Sequence, residues 1–117
     1  MNIEEIEKYC LSKKGAEIDY KPEWEATRGQ IHNKMFVLIG ADKEKRPIVS
    51  LKCEPVMAEM YRKEYKDVIP GYYLNKMHWN SIYIGGEVPD DVLREMIDIS
   101  YTLILEALPK KIKEMYV

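Results

Sequence analysis

Five consecutive apolar residues, Met35-Phe36-Val37-Leu38-Ile39, lie between His32-Asn33 and the charged run Ala41 to Pro47. A run this short, bounded by turn formers, reads as a strand, and one without a polar side must be covered on both faces. It belongs near the centre of a sheet. β-formers gather in two flanking segments, Glu25 to Ile31 and Ile48 to Cys53, and in the second Val49, Leu51 and Cys53 alternate with Ser50 and Lys52. Asn33 tolerates the left-handed backbone of a tight hairpin, and Ala41 to Pro47 supplies a longer exposed turn. Three antiparallel strands follow, with one face of the sheet against helices and the other partly against water.

Helical spacing frames these strands. Asn2 can cap a first helix, with Glu5 as its capping-box partner and Ile3, Ile6 and Cys10 on one side, and Gly15 ends it. Tyr20-Lys21-Pro22 then reads as a turn, since proline pushes the residue before it out of helical geometry. Glu54-Pro55 opens a second helix that carries Val56, Met57, Met60 and Tyr61 and stops near Tyr65. Ser81 to Ile84 is a last strand, ended by Gly85-Gly86. The final helix starts at Pro89, has Asp90 and Asp91 where they favour its dipole, and shows an apolar stripe from Val92 to Leu108 before Pro109. The predicted class is α+β, in the order α-β-β-β-α-β-α, with helices packed on one side of an antiparallel sheet.

With 117 residues the chain is expected to be one domain, 1–117. No apolar run approaches the roughly 20 residues that span a bilayer, and the acidic N-terminus is unlike a signal peptide, so a cytoplasmic location is expected. Cys10 and Cys53 are far apart without a CxxC, which argues for two buried thiols rather than a disulfide or a zinc site. The net charge of −2 is no match for a surface built wholly for nucleic acid. Between Lys21 and Cys53, however, seven basic residues face four acidic ones, which is compatible with a basic hairpin or with ordinary solvated charges.

Catalytic signatures are missing: there is no GxSxG elbow, P-loop, GxGxxG or HExxH. Cys53 could meet His32 or His78 only in space, and it falls on the apolar phase of its strand. No enzyme activity, metal or cofactor is predicted. The segment Pro70 to Asn80, PGYYLNKMHWN, concentrates Tyr72, Tyr73, Asn75, Lys76, His78, Trp79 and Asn80 in a loop. Such groups stack on bases or anchor a partner, and they serve equally to tie a loop to the sheet beneath it.

The runs VSLKCEP (Val49 to Pro55), PGYYLNKMHWNSI (Pro70 to Ile82), VPDD (Val88 to Asp91) and IDISY through LPKK (Ile97 to Lys111) resemble those of the MmcQ/YjbR family of small bacterial proteins. KMF (Lys34 to Phe36) also matches, while His32-Asn33 stands where members often carry glycine. The resemblance implies a CyaY-like fold, a likeness to double-wing modules, and the DNA-binding role commonly ascribed to the family. The resulting expectation is a non-enzymatic module that binds DNA weakly through its backbone. In it Arg28, Lys34, Arg46, Lys52 and Lys76 meet phosphates, Tyr73, His78 and Trp79 give stacking or shape, and Asn75 and Asn80 complete the loop surface. The alternative is a protein-interaction or small-ligand module, in stress or drug resistance for instance, whose aromatic loop lines a pocket. A basic sheet face would favour the first, and an apolar cleft lined by Tyr72, Tyr73 and Trp79 the second.

Overall fold

A capping box starts the chain: the Asn2 side chain accepts the Glu5 N–H and the Glu5 carboxylate accepts the Asn2 N–H. In the computed structural model, which describes residues 1–117, helix α1 (Ile3–Leu11) leads into strands β1 (Ala16–Lys21), β2 (Ala26–Ile31), β3 (Lys34–Ala41) and β4 (Pro47–Lys52). Helix α2 (Pro55–Glu64), strands β5 (Val68–Pro70) and β6 (Trp79–Tyr83), and helix α3 (Asp90–Glu106) follow. A short helix α4 (Lys110–Lys113) and a 3-10 turn (Glu114–Tyr116) end the chain. No helix is long and apolar enough to cross a membrane.

The sheet is antiparallel throughout, in the order β1-β2-β3-β4-β6-β5. The α+β class and the central place of Met35 to Ile39 agree with the sequence expectation. The element order needs two corrections, because six strands form rather than four. Ala16–Lys21 is a strand up to the residue before Pro22, and the turn expected at Tyr20-Lys21-Pro22 lies one step later, where the Trp24 and Glu25 N–H groups bond to the Lys21 and Pro22 carbonyls. β1 is an edge strand with little buried surface, so its pattern is weakly apolar. β5 has three residues, too few for any period to register.

Between β2 and β3 the register slips: Gly29 pairs with Val37 but Gln30 pairs with Met35, so Phe36 is an extra residue on β3. This bulge lets two adjacent side chains face the same way, and Phe36 and Val37 are both fully buried in the helix-side core. The bulge also frees a carbonyl. The Ser100 hydroxyl of α3 bonds to the Phe36 oxygen at 2.5 Å, and the Phe36 ring meets Tyr101 edge-on at 5.4 Å. Both residues of the β2–β3 turn, His32 and Asn33, have positive φ, the geometry of the tight hairpin expected there.

All three long helices cover one face. α3 crosses β2 to β4, α1 lies by β1 and β2, and α2 lies by β5 and β6. Their buried residues, including Ile6, Cys10, Ala58, Met96, Ile97 and Ile104, join Ile39, Val49, Leu51 and Ile82 in one core. Burying a side chain of this kind gains about 1.5–3 kcal/mol relative to exposure. The opposite face of the sheet carries no helix.

Candidate functional site

Strand alternation decides what that open face displays. The register aligns Arg28, Leu38, Ser50 and Ser81 in one row and Gly40, Ile48 and Tyr83 in the next. Gly40 keeps the floor low, since a Cβ there would sit 3.2 Å from the Ala26 methyl. Two walls rise from opposite sides. The β1–β2 turn contributes Trp24, and the loop from Gly71 to His78 contributes Tyr72, Tyr73 and Leu74. Between them lies a cleft of about 580 Å³, floored by Met35, Leu38, Ile48 and Ser50. Ligand pockets typically fall between about 300 and 1,000 Å³.

The loop wall is built, not draped. The Gly71 N–H bonds to the Trp79 carbonyl at 2.8 Å, and the Tyr72 N–H bonds to Ser81 Oγ at 2.9 Å. At its far end the Tyr72 hydroxyl accepts the Lys43 N–H at 2.8 Å, so this side chain reaches across to the β3–β4 turn. Burial, together with the neighbouring Tyr73 hydroxyl, raises the Tyr72 pKa above the ordinary phenol value, against a smaller opposing effect of the Lys43 N–H. Tyr73 packs on Tyr72 edge-on at 4.5 Å, is 87% exposed, and holds φ at +61°. A left-handed backbone at such a residue costs on the order of 1–3 kcal/mol. The loop therefore spends stability to present an aromatic ring to solvent at the mouth of the cleft.

Of the ten residues singled out from the sequence, Tyr73 alone lines this cleft. Arg28 stands beside it, but its guanidinium makes two bonds to Asp19, at 3.1 and 3.0 Å, with its centre 6.0 Å from the Trp24 ring. Arg46 bonds to Asp42 at 2.8 Å and stacks over Tyr83 at 4.7 Å. Lys76 donates to the Gly71 carbonyl at 2.7 Å. Lys34 lies at the start of β3 opposite core-facing Ile31, and Lys52 lies on the open face opposite half-buried Trp79. Asn75 folds the loop by accepting the Met77 and His78 N–H groups. The His78 side chain is exposed, and its carbonyl takes the Cys53 N–H at 2.8 Å. Asn80 is buried and donates to the Ala58 carbonyl, tying α2 to the sheet. The other eleven lining residues, Trp24, Leu38, Ile48, Ser50 and Tyr72 among them, are absent from that set, and of the three residues expected to line an apolar cleft Tyr72 and Tyr73 do so and Trp79 does not. Tyr72 is legible from the aromatic run in its loop and Trp24 from a tryptophan beside a turn, while the floor residues carry no signal of their own.

A third set of interactions fixes the end of the cleft. Asp42 accepts N–H groups from Glu44 and Arg46, the Arg46 guanidinium and the Tyr83 hydroxyl. Burial works to raise its pKa, but these bonds outweigh burial and hold the carboxyl below its ordinary value. The turn that carries Lys43 is thereby held in place.

Residues 11–103 match the YjbR family model. The Escherichia coli K12 protein YjbR, described as uncharacterised, is 36% identical over 117 residues that cover all of this chain and 98% of that protein. Bacillus subtilis YyaQ is 28% identical over 86% of this chain and 95% of its own length. Among solved structures, a Deinococcus radiodurans protein with a DUF419 domain superposes with a TM-score of 0.88 at 22% identity, over 98% of this chain and 87% of that one. A Pseudomonas syringae protein gives 0.77 at 21% identity, over 89% and 99%. The fold is common to them, and by full-length identity and family match this chain belongs to the YjbR family.

Proposed function

We propose that the protein is a binding module, without catalysis of its own, that holds a small and mainly apolar molecule on the open face of its sheet. One observation carries this reading: the helix-free face holds a mainly apolar cleft of about 580 Å³ between Trp24 and the Tyr72-Tyr73-Leu74 loop. Aromatic walls over an aliphatic floor suit a flat ligand, which buries both faces at once.

Weak DNA binding, the expectation raised by the family resemblance, has less support. Arg28, Arg46 and Lys76 are engaged within the protein, and Lys34 and Lys52 project from different places on the sheet. If Lys34 and Lys52 alone of these five met phosphates, the salt slope of DNA binding would be about −2, a weak electrostatic contribution.

The test is a nuclear magnetic resonance titration of isotope-labelled protein with indole and, separately, with duplex DNA at low salt. Shifts centred on Trp24, Leu38, Ile48, Tyr72 and Tyr73 with indole, lost in Leu38→Lys, are expected. An unresponsive cleft, with DNA instead perturbing Lys34, Lys52 and Lys76, would overturn the reading.

A further inference from the structure

Ser50 in the floor of the cleft and its buried neighbour Ser81 carry two hydroxyl protons that cannot both be used within the protein. Ser50 Oγ and Ser81 Oγ lie 2.6 Å apart, and Ser81 Oγ also accepts the Tyr72 N–H at 2.9 Å. Two hydroxyl protons are present and the bond between the serines uses one. If Ser50 donated to Ser81, the leftover proton would belong to Ser81, which is fully buried and has no further acceptor. Leaving a buried donor unpaired is costly. If Ser81 donates to Ser50, Ser81 is satisfied on both sides. The leftover proton then belongs to Ser50, which is 2% exposed and borders the cleft. The second arrangement is favoured, and Ser50 turns a hydroxyl donor into a mainly apolar cavity.

Charge narrows the occupant further. Glu23 is the one charged residue among those lining the cleft, and Lys21 pairs with it at 3.4 Å. Arg28, beside Trp24, is neutralised by Asp19. No unpaired charge is offered to a ligand, and bringing a charged group into such a site would be costly.

We infer that the occupant is a neutral, planar aromatic molecule with a hydrogen-bond acceptor, a carbonyl oxygen or a ring nitrogen, placed on the Ser50 hydroxyl while its ring lies between Trp24 and Tyr72-Tyr73. This rests on the cleft being a ligand site, and it adds the chemistry by which that site selects. At Ser50 the inferred polarity is one-way: the protein donates and the ligand accepts.

Quinoline and naphthalene form a matched pair for the test, alike in shape and both uncharged at neutral pH, but only quinoline carries an acceptor. Dissociation constants are measured by chemical-shift titration on the wild type and on Ser50→Ala, with thermal melts of both proteins alongside. Quinoline is expected to bind the wild type about tenfold more tightly than naphthalene, the worth of one hydrogen bond, and the preference is expected to vanish in Ser50→Ala. Equal affinities in the wild type, with shifts still centred on the cleft, would overturn the inference while leaving the ligand site intact. Absence of cleft shifts with indole, quinoline and naphthalene alike would remove the site itself. Should Ser50→Ala fail to fold, the wild-type comparison of the two probes still decides.

Discussion

Ser100 bonds to the carbonyl of Phe36 at 2.5 Å and at the same time accepts the Lys52 N–H at 2.9 Å. One fully buried hydroxyl from α3 thus satisfies two backbone groups on neighbouring strands β3 and β4, just beyond Val37–Leu51, the last pair of their ladder. Ser100→Ala removes both bonds and leaves a buried N–H and a buried C=O without partners. At about 1–3 kcal/mol for each unsatisfied group, a loss of about 2–6 kcal/mol is expected in urea unfolding. A change under about 0.5 kcal/mol would show that the bulge finds other partners.

The same helix gives a directional check. Ile104 is buried in the core and Leu103 is only half-buried. Ile104→Ala should cost about 2–5 kcal/mol and Leu103→Ala clearly less. Paired denaturation curves measure this, and the reverse order would place the wrong side of α3 against the sheet.

Much of this architecture can be read along the chain, and the reason is local. Asn2 with Glu5, Pro55, and Asp90-Asp91 mark helix starts within a few residues of where they act, and the stripe of α3 is long enough to show its period. β1 and β5 escape because one is an edge strand with mixed faces and the other has three residues. The cleft escapes for a different reason. Its walls, Trp24 and Tyr72 to Leu74, are about fifty residues apart and meet only across the width of the sheet. Within Pro70 to Asn80 the polar residues look like binding groups, yet Asn75, Lys76 and Asn80 act on the loop and on α2. Amides that satisfy a backbone and amides that await a ligand are the same letters.

Gly71 tests the loop wall. A Cβ there would lie 2.9 Å from Trp79 Cβ and 3.1 Å from the Trp79 carbonyl oxygen, and neither can move without disturbing β6. Gly71→Ala should cost about 1–3 kcal/mol in thermal unfolding and should weaken indole binding as Tyr72 shifts. Unchanged stability and binding would mean that the loop is not held as described.

Cys10 is expected to be inert. Burial pushes its thiol up to about 12, against a weaker downward pull from Lys13. An unfolded thiol ionises near about 8.5. The folded state therefore keeps its proton where the unfolded state loses it, so this contribution leaves stability whole below about pH 8.5 and lowers it as pH rises toward about 12. Thiol labelling of native protein at pH 8 should proceed only as fast as the fold opens. Labelling at the rate of a free thiol would refute the burial.

Asp42 responds at the other end of the scale. Its folded carboxyl titrates below the ordinary value near about 3.9, so its stabilising effect is complete above about pH 4 and disappears as pH falls through the lower folded value. Asp42→Asn should remove part of the acid dependence of unfolding. It should also loosen the Lys43 N–H from Tyr72, detectable as a shift of the Tyr72 ring resonances. An acid limb identical to the wild type would assign that dependence to other carboxylates.

The extra residue at Phe36 also governs where the chain tolerates changes in length. Met35 faces the cleft while Phe36 and Val37 face the core, so the strand carries two phases joined at one residue. Deleting Phe36 would restore simple alternation, with Met35 on the cleft face and Val37 in the core, but would remove a fully buried ring and the carbonyl that Ser100 bonds, whereas one residue added to β3 beyond the bulge would send the residues on one side of it to the opposite face. An insertion between Lys43 and Arg46 would break the bonds by which Asp42 holds the Glu44 and Arg46 N–H groups, so this turn is also set in length. Members of the family should accordingly keep a constant residue count through β3, a pattern an alignment reveals without any experiment.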